Sequence, residues 1–167
     1  MTNTRKIDPE FFNIISEILE NDDVKKLGTI KHHGKSILNH SLKVALYSFN
    51  IGKRLKLDMH SLTRGAILHD FFLYDWNNSS EMPKRKFYEF YKMHGFVHAK
   101  IALDNARACF DLNKIECNII IRHMFPLTII PPRYPESWVV MLVDKWVATK
   151  EIPQYIKNRM RKKTHKN

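Results

Sequence analysis

The chain has 167 residues, 44% of them apolar, with only 5 glycines and a formal net charge of +11. That length and apolar content fit one domain with a real core and exclude a disordered or fibrous chain. Scarce glycine, prolines near apparent element ends and no run approaching the roughly 18 apolar residues of a membrane helix exclude a turn-dense barrel and a membrane span.

Asp8 can cap a first helix running from about Asp8 to Glu20, with Pro9 at its first position and Phe11, Ile14, Ile15 and Ile18 on one face. The stretch MTNTRKIDPEFF before and into it has no apolar run of the secretory kind, so a cytoplasmic setting is expected. A loop follows through Gly28 and Gly34. Ser36 caps a long helix to about Lys56, and Asp58 caps another from Met59 to about Phe71. The polar stretch from Asp75 to Lys86 contains Pro83 and reads as a loop or lid. Around it, Tyr74, Trp76, Phe87, Tyr88 and Tyr91 either stack on a nucleobase or pack the lid onto the helices. Helices from about Gly95 to Cys109 and from about Leu112 to Met124 follow. Pro126, Pro131 and Pro132 mark an extended connection, a helix runs from about Ser137 to Lys150, and Pro153 opens a last one. Cys109 and Cys117 fall on separate helices without metal-ligand spacing and read as reduced, partly buried thiols. There is no internal repeat. The expectation is an all-α single domain of about six or seven helices over 1–167, with its core at about 31–148 and a basic tail at about 157–167.

The chemistry lies in where histidines and acids fall on these helices. His40 aligns with Val44, Tyr47, Ile51 and Leu55 at spacings of three and four, and the opposite stripe, Leu38, Leu42, Ala45 and Phe49, is also apolar. That helix is expected to be largely buried, His40 with it. His69 continues the stripe of Leu62 and Ala66, Asp70 lines up with Ile67, and Asp144 shares a face with Val140, Met141 and Ala148. His123 ends a helix whose inner face carries Ile119 and Ile120. A carboxylate on an apolar face is costly unless paired or bound to a metal. No lysine or arginine falls on those stripes, although Lys145 adjoins Asp144. Singly, each residue has a plain structural explanation, such as a core histidine bonded to a carbonyl. Together they point to one shared cation.

The order His40, His69-Asp70, His123, Asp144 resembles the HD superfamily of metal-dependent phosphohydrolases. The strings HSLKVA, AILHDFF, HGFVHAK, HMFPLT and LVDKWVA carry that resemblance over about Lys31 to Ala148. It implies a helical bundle of the HD-domain type with one metal held by His40, His69, Asp70 and Asp144. In members with a second metal the further ligands come from mid-domain, here His94 or His98, together with His123, and Asp70 bridges. His94 and His98 can share a helical face. The HG string favours His94, as in HD hydrolases of the dinucleotide polyphosphate type, while His98 is open as a ligand, as a group behind the ligands or as a substrate contact. Phe71-Phe72 stand where some members have Ile-Gly, and the GYP string of the cyclic-dinucleotide phosphodiesterases is absent.

Imidazole and carboxylate ligands suit iron, manganese, zinc, cobalt or nickel better than calcium or magnesium, so one or two divalent transition metals are expected. The implied activity is hydrolysis of a phosphate ester or anhydride in a small phosphorylated substrate, nucleotides included, by a metal-activated water. His69 and Asp70 form the implied catalytic pair. His33 and Lys145, and less so Lys35, are candidate phosphate contacts. Asp75 is a candidate general acid, or a turn former with Asn77 and Asn78. No glycine-rich phosphate loop is present. Two basic runs, Lys84-Arg85-Lys86 and Arg159 to Lys166, motivate the competing reading, a non-catalytic HD domain that binds a nucleotide or RNA through its basic surface. A solvated, frayed tail is the simpler explanation of the second run. No membrane partner is expected.

Overall fold

A computed structural model of the chain describes residues 8–32, 35–73 and 94–164, with side chains except those of residues 31, 32, 35, 94–96 and 152–164. The described residues form seven helices and one very short hairpin: α1 (Pro9–Glu20), α2 (Asp22–Lys26), β1 (Lys31–His32), β2 (Lys35–Ser36), α3 (Ile37–Leu55), α4 (Met59–Leu68), α5 (His94–Cys109), α6 (Lys114–Arg122) and α7 (Pro135–Thr164). The fold is all-α, as expected.

Helix starts follow from capping side chains that accept otherwise orphaned amide protons. Asp8 accepts from Glu10 with Pro9 at the first position of α1. Ser36 accepts from Asn39 and Asp58 from Ser61. Asn113 and Glu116 form a reciprocal capping box on α6. Between α1 and α3 the expected loop contains more structure. Asn21 caps α2, whose Asp22 and Asp23 pair with Lys25 and Lys26 one turn on. The hairpin then pairs Lys31 with Ser36 and His32 with Lys35, antiparallel, and leads directly into α3.

Four further expectations change. The stripe of His40 does not stay buried along α3: His40 and Val44 are buried, but Tyr47, Ile51 and Leu55 are 43%, 39% and 58% exposed. The inward row is instead His40, Ser41, Val44, Ala45, Ser48, Phe49 and Gly52, because a straight helix follows its 3.6-residue period. α4 stops at Leu68 rather than near Phe71, so His69 and Asp70 stand at and beyond its end. α6 is shorter than expected, with Asn113 as its cap. Finally, Pro153 does not open a new helix but lies inside α7. A proline removes one amide donor and crowds the preceding turn. Here strong helix formers flank it, and buried Glu151 anchors the turn just before it to His40 and Lys43.

α4 is the central element. Every residue from Ser61 to Leu68 is buried, and the helix packs against α1, α3, α5, α6 and α7. Gly65 lets α6 come close: a Cβ there would lie 2.6 Å from Cδ1 and 3.0 Å from Cβ of Ile119. The core around it includes Phe11, Ile15, Ile18, Phe49, Phe71 and Phe72. No helix among the described residues is long and apolar enough to cross a membrane. The expected lid from Asp75 to Lys86, with Tyr74, Trp76, Phe87, Tyr88 and Tyr91, lies outside the described residues.

Candidate metal centre

Five elements deliver polar side chains to one buried point. α3 brings His40, the end of α4 brings His69 and Asp70, α5 brings His98, the end of α6 brings His123, and α7 brings Asp144. His40, His69, Asp70, His98 and His123 are all buried, and the Asp144 side chain is 13% exposed.

The two helix ends share a local design. His69 and His123 are the C-caps of α4 and α6, both with helical backbone. Nδ1 of His69 lies 2.7 Å from the carbonyl oxygen of Ala66, and Nδ1 of His123 lies 2.7 Å from that of Ile120. A carbonyl only accepts, so each Nδ1 carries its proton and donates. One bond thereby satisfies a carbonyl that the helix end would leave orphaned and turns Nε2 toward the site.

Nε2 of His69 lies 3.5 Å from Oδ2 of Asp70 and 3.6 Å from Oδ1 of Asp144. It is fully buried and makes no hydrogen bond. Nε2 of His40 is 3.0 Å from Oδ1 of Asp144 and 4.0 Å from Oδ2 of Asp70. On the other side, Nε2 of His98 and Nε2 of His123 are 2.9 Å apart, each 3.5 Å from Oδ1 of Asp70. Asp70 therefore divides its oxygens, Oδ2 toward His40 and His69, Oδ1 toward His98 and His123. Two triads have donor atoms close enough to share an ion: His40, His69, Asp70 and Asp70, His98, His123.

Electrostatics agree with that grouping. Burial works against the charged form of Asp70, yet the surrounding histidines hold its carboxyl well below the usual range. Burial likewise opposes ionisation of Asp144, and the hydrogen bond from His40 together with the nearby imidazole of His69 holds it down. Burial disfavours a charged His40, but the carboxylates of Asp144 and Glu151 push it up to about 10. Both carboxylates are thus ionised near neutral pH and surrounded by imidazoles.

A divalent transition metal fits this donor set. Four imidazoles and two carboxylates converge in a buried space, one Nε2 is orphaned, and mixed nitrogen and oxygen donors suit such ions. None of the ion pairs of Asp70 or Asp144 among the described residues is to lysine or arginine.

Of the residues singled out in the sequence, His40, His69, Asp70, His98, His123 and Asp144 come together. The backbone of His94 opens α5, but its side chain lies outside the described set, and so do His33 and Asp75 and the side chain of Lys35. Nζ of Lys145 donates to the carbonyl of His123 at 2.9 Å, where a cation suits the end of α6. Burial lowers its pKa, opposed by Asp144. Cys109 and Cys117 are free and half-buried.

Sequence reading missed Glu151. Its carboxylate, 3% exposed, meets Nδ1 of His40 at 3.0 Å and Nζ of Lys43 at 2.6 Å. The signal was available: Asp144, Ala148 and Glu151 recur at spacings of four and three along one helical face.

Among known protein families, one described as HD domain matches residues 37–149, which include every residue of this cluster except Glu151. No curated protein and no solved structure matches the chain at a significant level.

Proposed function

The chain belongs to the HD domain family, and from that premise we propose that it is a metal-dependent phosphohydrolase acting on a small phosphorylated molecule, nucleotides included. The observation that carries this reading is the division of Asp70, whose two oxygens face two separate histidine pairs. His40, His69, Asp70 and Asp144 would hold one ion, and Asp70, His98 and His123 a second. Such ions supply Lewis-acid polarisation of phosphoryl oxygens and a water of lowered pKa.

The chain's own contribution is preorganisation. Nδ1 bonds to Ala66 and Ile120 fix the rings of His69 and His123, so their Nε2 lone pairs need no reorientation. Asp70 and Asp144 need shed no proton near neutral pH, since both are held well below the usual carboxylate range. Phe72 is fully buried with its ring edge against His98, centroids 5.7 Å apart, which limits the swing of that imidazole and keeps water from its flank. The charge of +11 draws anionic substrates toward the molecule.

A panel of phosphomonoesters, nucleotides and cyclic or dinucleotide phosphates, assayed with several transition metals, tests the reading. Turnover that stops with chelator and is absent in His69→Ala and Asp70→Ala is the expected result. Full activity in either variant sinks it. The high positive charge supports a second reading, a module that binds RNA or nucleotide without turnover. That reading predicts RNA binding that weakens steeply with salt and is indifferent to metal removal.

A further inference from the structure

The three histidines whose Nδ1 partners are visible do not have equivalent partners. His69 and His123 donate to neutral backbone carbonyls. His40 donates to a carboxylate, Oε2 of Glu151 at 3.0 Å. Glu151 meets His40 on Nδ1, while Nε2 is the atom that faces Asp144 and Asp70. Its other oxygen takes Nζ of Lys43 at 2.6 Å, an ion pair that holds the carboxylate in place. A charged acceptor makes the opposite ring nitrogen a stronger donor than a carbonyl does. Among the described residues, two carboxylates, Asp70 and Asp144, also stand beside both His40 and His69, and Asp70 stands beside His98 and His123.

We infer that Glu151, held by Lys43, is a positioning residue for His40 that makes the His40–His69–Asp70–Asp144 position the tighter of two unequal metal positions and the first to fill. This rests on the metal reading above. One helix, α7, then supplies both a ligand and, two turns later, the group that orients a ligand on α3.

The test is titration of the metal-stripped full chain with Co2+, followed by visible absorption and calorimetry, beside thermal unfolding of the same metal-stripped proteins. Wild type should bind in two steps of unequal affinity. His98→Ala should lose the weaker step and keep the tighter. Glu151→Leu should weaken the tighter step toward the upper end of the roughly 10–100-fold range for loss of such an outer partner, with the weaker step unchanged. Glu151→Gln keeps an acceptor for Nδ1 but not its charge, so its loss should fall near the lower end of that range. If Glu151→Leu does not fold, the Glu151→Gln titration decides alone. An unchanged tighter step in Glu151→Gln, or equal weakening of both steps in either variant, overturns the inference. Absence of any Co2+ binding by wild type would instead remove the metal reading beneath it.

Discussion

Two buried polar clusters meet α4, and they are built on opposite plans. One joins Arg64 to Glu116 at 2.7 Å and to the carbonyl of Asp111 at 3.3 Å. Glu116 caps Asn113 through its second oxygen, Asn113 donates to Ser61, and Ser61 donates to Asp58. Each cation there has an acid and each donor an acceptor. The other cluster begins five residues later at His69. It gathers four imidazoles around Asp70 and Asp144, and leaves Nε2 of His69 buried without a hydrogen bond. A closed network serves the fold, because every group in it is answered from within. A cluster with converging lone pairs is completed only by something else, and its ligand chemistry says what.

Variants that separate the two clusters should differ in kind. The largest effect belongs to Asp70→Ala, which removes the carboxylate that faces both histidine pairs. It should eliminate chelator-sensitive turnover altogether, as measured by phosphate release, and retained activity would erase the contrast. Glu116→Ala should leave Arg64 buried without its nearest acid and destabilise by about 3–5 kcal/mol in denaturant titration. The metal content of whatever remains folded should not change. A Glu116→Ala protein of native stability would mean that the closed network matters less than its geometry suggests.

Gly65→Ala probes the join between the clusters. Its Cβ would meet Ile119 at 2.6 Å, so α4 and α6 must shift, at a cost of about 1–3 kcal/mol. Because those helices end in His69 and His123, metal affinity should fall along with the melting temperature. Loss of stability with unchanged Co2+ affinity would show that the ligands tolerate the shift.

The smallest effect is on pH dependence. In metal-stripped protein, Glu151 is lowered from 4.5 to about 2, burial being outweighed by hydrogen bonds from His40 and Lys43. Its contribution to stability is present above pH 4.5 and disappears as pH falls through about 2. His40 is raised from 6.5 to about 10, so its contribution is complete below 6.5 and is lost as pH rises through about 10. Denaturation midpoints should therefore be highest between these limits. Metal must displace the His40 proton, so binding should release protons and tighten with rising pH. Calorimetry in buffers of different ionisation enthalpy reads that release, and a null result would contradict a protonated His40.

Much of this organisation is visible in the residues themselves. Asp8, Ser36 and Asp58 cap the helices at the expected places, because capping is local chemistry. The convergence of His40, His69, Asp70, His123 and Asp144 could be anticipated from polar residues on apolar stripes and from the HD resemblance. Whether His94 or His98 is brought in was not legible, since spacing alone puts both on one face; the structure places His98 beside His123. Glu151 escaped because Pro153 suggested a helix ending near Lys150, whereas α7 continues through it. The Arg64–Glu116 pair escaped because its partners are 52 residues apart and meet only through packing of α4 on α6. Local signals reveal caps and faces, and pairing across helices depends on how those faces meet.

Elemental analysis of protein purified without chelator bears most directly on the central claim, that Asp70 is shared between two metal positions. The account predicts more than one transition metal per chain in wild type, about one in His98→Ala and none in Asp70→Ala. Wild type without transition metal, or Asp70→Ala with an undiminished metal content, would contradict it.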